Sequence, residues 1–260
     1  MNPAKLPLFL SALVSMTVGL VATGCSTRLD LAERTTGDSG VLRFEYTTLE
    51  GCLLGCDLGR PALVGSDLTV TTRGLDPSKR YVARLAAGTI GTIVRQSEKC
   101  SCATTNGSST QSSSIAPEGT CAAGAQKSCF HQATIAVKTA GETKLELLTG
   151  DEIVDRVTVR SRDADRLELQ ATVDQEPLAL RDGAYETRVG TSISLDARAF
   201  AGDVELVVGD GSLSVKSADP RILTAESLFL GAKAVAPGNA SLTTKSASGA
   251  ERTVQFRVVP

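Results

Sequence analysis

Val64-Gly65-Ser66-Asp67-Leu68-Thr69-Val70 returns 125 residues later as Val189-Gly190-Thr191-Ser192-Ile193-Ser194-Leu195. In both stretches apolar residues alternate with hydroxyl-bearing ones, the period-two pattern of a half-buried strand. Leu42-Arg43-Phe44 and Leu167-Glu168-Leu169 stand at the same offset. Further on the offset changes to 97: Gly141 meets Gly238, Leu145 meets Leu242, and Val157-Thr158-Val159-Arg160 meets Val254-Gln255-Phe256-Arg257. The drop from 125 to 97 is 28, so the first copy holds a net 28 extra residues between its front and back strands. They fall in KCSCATTNGSSTQSSSIAPEGTCAAGAQKSC, residues 99–129, which reads as a long Ser-, Thr-, Gly- and Cys-rich loop. The chain is thus an all-β protein built from two copies of one domain. The first spans 41–160 with the insert at about 100–130, and the second spans 166–260. Each has the size of a small sandwich with its own core. Gly209-Asp210-Gly211-Ser212, between two alternating runs, has the composition of a tight hairpin turn.

The back half of the second copy carries a family resemblance. Ser217-Ala218-Asp219-Pro220 is followed by Ile222, Thr224 and Ala234-Val235-Ala236-Pro237-Gly238-Asn239-Ala240. Strands at Leu242-Thr243-Thr244 and Val254-Gln255-Phe256-Arg257-Val258 complete it. This resembles the group 2 bacterial immunoglobulin-like repeats of intimin- and invasin-type adhesins. It covers residues 189–260 well and the first copy weakly, through Ala140-Gly141 and the strands after it. The resemblance implies tandem immunoglobulin-like β-sandwiches serving as spacers or binding scaffolds. The missing Trp and the cysteine-rich insert depart from that family.

The first 24 residues have the parts of an export signal: Lys5 as the one charge, an apolar run from Leu6 to Val21, then small Ala22, Thr23 and Gly24. The apolar run is shorter than the ~20 residues of a membrane span and is diluted by Ser11, Ser15, Thr17 and Gly19. Val21-Ala22-Thr23-Gly24-Cys25-Ser26 resembles the lipobox of a bacterial lipoprotein, although Ala22 stands where Leu is usual. The resemblance implies cleavage before Cys25 and acylation of that cysteine with diacylglycerol and palmitate-type chains. With Ser26 next, it also implies sorting to the outer membrane. Residues 25–40 read as a flexible tether.

Removing residues 1–24 takes Lys5 and no acid, leaving 26 basic against 29 acidic residues of the full chain's 27 and 29. That balance excludes a nucleic-acid footprint and a polybasic membrane patch. The partners expected are the membrane, through lipid, and a protein or an envelope polymer. Cys52, Cys56, Cys100, Cys102, Cys121 and Cys129 remain. An even count in an exported chain reads as disulfides, with fifteen pairings open. Cys100 and Cys102 are too close to pair with each other comfortably.

No enzyme is expected. His131 is the single histidine, and neither G-x-S-x-G nor H-E-x-x-H occurs. No cofactor is implied beyond the lipid on Cys25. Asp163 and Asp165 between the copies, with Asp151, Glu152 and Asp155 shortly before, are the carboxylates that a calcium ion would use. The alternative for them is a solvated linker. Phe44, Tyr46, Tyr81, Phe130, Tyr185, Phe200, Phe229 and Phe256, without any Trp, are too few and too regularly spaced for a sugar-stacking surface and read mostly as core. The expected function is a lipid-anchored cell-envelope module that binds, adheres or builds without catalysis, and the insert reads either as its recognition loop or as a disulfide-braced flap that only protects the sandwich. The alternative is a periplasm-facing accessory or assembly factor for an envelope enzyme or complex.

Overall fold

The computed structural model describes residues 35–47, 58–86, 90–106, 109–226 and 231–260. The expected leader, with Cys25, Cys52, Cys56 and Phe229, lies outside them. Among the described residues every element is a strand, and no helix is long and apolar enough to cross a membrane.

The first half contributes β1 (Thr35–Thr36), β2 (Arg43–Thr47), β3 (Ala62–Leu63), β4 (Asp67–Arg73), β5 (Val82–Leu85), β6 (Gly91–Asn106), β7 (Ser109–Ile115), β8 (Gln126–Val137), β9 (Gly141–Thr149) and β10 (Glu152–Arg162). They form two sheets, ordered β1-β2-β4-β8-β6-β7 and β3-β10-β9-β5. The second half contributes β11 (Arg166–Val173), β12 (Glu176–Pro177), β13 (Leu180–Arg181), β14 (Ala184–Arg188), β15 (Ser192–Ala201), β16 (Val204–Leu206), β17 (Leu213–Ser217), β18 (Leu223–Glu226), β19 (Gly231–Ala234), β20 (Gly238–Ser246) and β21 (Glu251–Val259). Its sheets run β12-β11-β15-β19-β18, with β16 on β15, and β13-β14-β21-β20-β17. The protein is therefore two tandem immunoglobulin-like β-sandwiches.

The repeat is carried in the registers. Leu68 faces Ile135, and Ile193 faces Ala232, which are the same pair shifted by 125 on one strand and 97 on the other. In both copies the last strand takes a parallel partner from the front: β3 on β10, and β14 on β21. The middle strands correct the count. Val82 faces Leu148 as Ser214 faces Lys245, an offset of 132 against 97. The insert in the first copy is therefore 35 residues, because the second copy has seven of its own between β15 and β17.

Those seven extra residues belong to the segment that joins the copies. The sequence GDGS at 209–212 is no hairpin turn, since β16 pairs β15 and β17 pairs β20. The chain instead crosses between sheets and docks on the first sandwich. Val207 N donates to Pro61 O (2.8 Å) and Leu63 N donates to Val207 O (2.9 Å). Asp67 and Asp210 exchange backbone bonds of 2.8 and 3.2 Å, and Gly209 N donates to Ser66 Oγ (3.0 Å). A Cβ on Gly209 would stand 2.8 Å from Asp67 O, Leu68 Cδ2 and Ser66 Cβ, so only glycine permits this approach.

Burial follows the same line. The first core packs Phe44, Tyr46, Leu68, Val70, Ile135, Leu145 and Val159, and Val207 from the second copy joins it. The second core centres on Ile193, Leu195, Leu223, Leu242 and Phe256. A third cluster, Leu63, Ala164, Leu167, Ala199, Leu206 and Val208, lies between the two. The expected solvated linker is thus partly interior. Ala164 is buried and its N–H donates to Ser248 Oγ (3.0 Å). The fold also begins before residue 41, because Thr35 and Thr36 pair with Phe44 and Arg43.

Candidate functional site

The insert is a sheet rather than the long loop its composition suggests. β6 and β8 outrun the sandwich: β4 pairs β8 as far as Thr72 opposite His131, while β6 stays on β8 out to Ala103 opposite Gln126. β7 then adds to β6 from Ile115 opposite Cys100 to Ser109 opposite Asn106. The signal was present as alternation in 126–137. Cys129, His131, Ala133, Ile135 and Val137 are buried on one side, and Gln126, Ser128, Phe130 and Gln132 stand on the other.

Two bridges hold this extension. Cys100 and Cys129 face each other across β6 and β8 and are bonded, with Cα atoms 4.1 Å apart. Cys102 is bonded to Cys121, which fastens residues 116–125 against the sheet. Lys127 Nζ donates to Pro117 O (2.6 Å) and Gly119 O (2.9 Å), taking up carbonyls of the same segment. Arg80 bridges Glu98 (3.7 Å) and Glu118 (3.3 Å) from the β4–β5 connection. An open depression of about 590 Å³ lies between this segment and the sheet, lined by Thr104, Ser113, Ile115 and Thr120. The bridges close loops of 29 and 19 residues, each contributing about 3 kcal/mol by limiting the unfolded chain.

His131 is interior, 2% exposed, and its Nδ1 has no hydrogen-bond partner. Burial holds its pKa below the usual imidazole range, so the ring is neutral at pH 7. It is a packing residue on the inward side of β8. Glu98, Cys100 and Cys129 bring ligand atoms within 4.8 Å of one another, but both sulfurs are spent in the disulfide and offer no thiolate.

The calcium candidates do not assemble as one site. Asp155 and Asp163 are eight residues apart along β10 and its end, which is about 26 Å of extended chain. Asp155 is 2% exposed and its carboxylate is fully engaged. Oδ1 accepts from Ser39 N (2.9 Å) and Arg156 N (2.8 Å), and Oδ2 accepts from Val41 N (3.2 Å) and Leu42 N (2.8 Å). Burial alone would raise its pKa, and these backbone donors outweigh that and hold it below the usual carboxylate range. Asp155 is therefore the clasp that fixes residues 39–42 to β10. Asp165 Oδ2 accepts from Gly202 N (2.7 Å), and Asp163 is exposed. Asp151 and Glu152 lie at the exposed β9–β10 turn. Of the aromatics, Phe44, Tyr46, Tyr81, Tyr185, Phe200 and Phe256 are buried, while Phe130 is half-buried on the outward side of β8.

No family model and no curated protein matches the sequence. Among solved structures, the C-terminal 282-residue fragment of intimin, solved with the intimin-binding domain of the translocated intimin receptor, is 12% identical. It covers 76% of this chain and 61% of its own, with a TM-score of 0.28. Invasin, described as a bacterial integrin-binding protein, is 10% identical over 85% of this chain and 39% of its own, TM-score 0.28. The Yersinia pseudotuberculosis adhesin InvE is 11% identical over 86% and 60%, TM-score 0.27. The chain thus spans less than two thirds of each of these proteins. The fold described above rests on the chain's own strands and registers.

Proposed function

We propose that this protein is a lipid-anchored module of the cell envelope that binds a partner without catalysis and uses the β6–β7–β8 extension as its recognition element. One observation carries the reading. The two copies share strand order and register, yet the first alone continues its sheet outward, and it fastens that continuation with two disulfides. A plain spacer needs no such addition, and rigid elements displayed on a sandwich are where recognition residues commonly sit. The junction supports the reading, because Val207 locked into the first core makes the second sandwich a stiff continuation of the first. The lipobox-like stretch ending at Cys25 supplies the anchor, and the same stretch favours the outer membrane.

The test removes the extension and leaves the sandwich closed. Cys100 opposite Cys129 is the closely spaced kind of antiparallel pair, so Ser101 opposite Ser128 is the hydrogen-bonded pair next to it. Replacing residues 102–127 by Asn-Gly joins Ser101 to Ser128 through a two-residue turn that suits such a pair. The Cys100–Cys129 bridge survives, and Cys102 and Cys121 leave together, so no thiol is orphaned. The variant should fold, keep its lipid, and lose the envelope component that in-cell crosslinking captures with the full protein. If the folded variant still captures that component, recognition lies elsewhere on the sandwiches.

A further inference from the structure

The outward side of the first sheet carries a row of cations beside a row of hydroxyls. Arg43 on β2 faces Arg73 on β4, and Lys99 on β6 faces Phe130 on β8. Arg73 lies over the Phe130 ring, 5.6 Å from its centroid, which closes the row Arg43, Arg73, Phe130, Lys99 across four strands. At ~4.8 Å between strands the row is about 14 Å wide. One step outward along the extension, Ser128, Ser101 and Ser114 stand abreast on β8, β6 and β7. All of these point away from the core, since Cys129, His131 and Ala133 alternate inward between them.

The charge here is unbalanced. Glu45 is the nearby carboxylate on this side, and Arg73 Nε donates to it at 2.6 Å. Among the described residues neither Arg43 nor Lys99 has an ion-pair partner. Directly opposed like charges such as Arg43 and Arg73 destabilise a sheet. A chain of net charge −2 nevertheless keeps them together on one face. The row spans four strands on the outer side of the sheet, and an extended polymer lying across the strands would meet all of it. Guanidinium and ammonium groups take carboxylates, with arginine able to do so bidentately. Serine hydroxyls both donate and accept, as sugar hydroxyls do.

We propose that this face binds an acidic polysaccharide, a polymer of uronate-bearing sugars, through Arg43, Arg73 and Lys99 for the carboxylates and Ser101, Ser114 and Ser128 for the hydroxyls. Of these six residues only Ser114 lies within 102–127, so the face sits at the base of the extension and the proposal goes beyond the recognition reading. The test uses full-length protein in detergent over immobilised polygalacturonate, with neutral dextran, poly-glutamate and anionic phospholipid vesicles as comparators. Polygalacturonate should be retained, and poly-glutamate should bind about tenfold more weakly or less, because it presents charge without the hydroxyls. The Arg43→Gln/Lys99→Gln double variant should weaken polygalacturonate binding by about tenfold, the usual scale for two exposed charge contacts. The Ser101→Ala/Ser114→Ala/Ser128→Ala variant should weaken it by about threefold or more. The proposal is overturned if polygalacturonate does not bind, if both variants bind as the parent does, or if poly-glutamate or vesicles bind as tightly. Loss of the envelope partner on replacing residues 102–127, with polygalacturonate unbound by the parent, overturns this ligand and leaves the recognition element standing. The variant with residues 102–127 replaced keeps Arg43, Arg73, Lys99, Ser101 and Ser128 and should still retain polygalacturonate. Loss of the polymer from that folded variant overturns the proposal, whereas retention of the crosslinked partner overturns only the extension as recognition element.

Discussion

Asp155→Asn should loosen the first sandwich at neutral pH and do little in acid. The carboxylate accepts four backbone N–H groups, two on each oxygen. An Asn side chain keeps one acceptor oxygen and turns an NH2 group toward the other two donors. Either Ser39 N and Arg156 N, or Val41 N and Leu42 N, are then left facing a donor. An unsatisfied buried donor costs about 1–3 kcal/mol, so the loss should be about 3 kcal/mol. For a folded unit of this size that is a fall of roughly 6–12 °C in Tm. The pH dependence has a definite sign. The folded pKa of Asp155 is depressed, so its stabilisation is complete above the unfolded value of about 3.9 and is lost as pH falls through the folded value. The gap between parent and variant should therefore be full at pH 7 and narrow progressively below about pH 4. Thermal or urea unfolding of both proteins, followed by circular dichroism from pH 7 to pH 2.5, measures that gap directly and cancels the titration of other carboxylates. Equal midpoints at pH 7, or a gap that stays constant to pH 2.5, would refute the clasp.

The junction makes Val207→Ala a mutation in the second copy that is felt in the first. It should cost about 1.5–3 kcal/mol and speed hydrogen exchange of β4 and β10 amides, and exchange confined to β15–β17 would contradict the packing. Gly209→Ala should cost about 1–3 kcal/mol through overpacking against Asp67, Leu68 and Ser66, and should raise protease cutting at residues 161–165; an unchanged digest would count against the docked segment. Peptide mapping without reductant should find Cys100 joined to Cys129 and Cys102 to Cys121, with Cys52 and Cys56 also free of alkylation. Two alkylated cysteines would break the even-count reading. Cys25→Ser should abolish incorporation of labelled fatty acid, and labelling that persists would place the anchor elsewhere.

Much of the architecture was legible because strand alternation is local. Leu68 and Val70, or Ile193 and Leu195, mark their inward side within three residues, and the repeat then divided the strands between two copies. The disulfide bonding of Cys100, Cys102, Cys121 and Cys129 agrees with the even count, while the choice of partners needed coordinates. The candidate site was located but its form was misread. A Ser- and Gly-rich run has the composition of a loop, and nothing local told that Cys129 would face Cys100 and so keep β6 and β8 in register beyond the sandwich. The row of Arg43, Arg73 and Lys99 was equally hidden, since its members come from three strands up to 56 residues apart.

The sequence alone determined the strand class, the two copies and the place of the insert. Each of these is a pattern in neighbouring residues or a comparison of the chain with itself. Tertiary structure alone decided three things: that Asp155 serves backbone donors instead of a cation, that GDGS crosses between sheets, and that the second copy's seven extra residues seal the first core with Val207. The reason is common to all three. A carboxylate, a glycine or a valine has the same chemistry wherever it stands, and its role depends on which donors, backbones or cavities the rest of the chain brings to it.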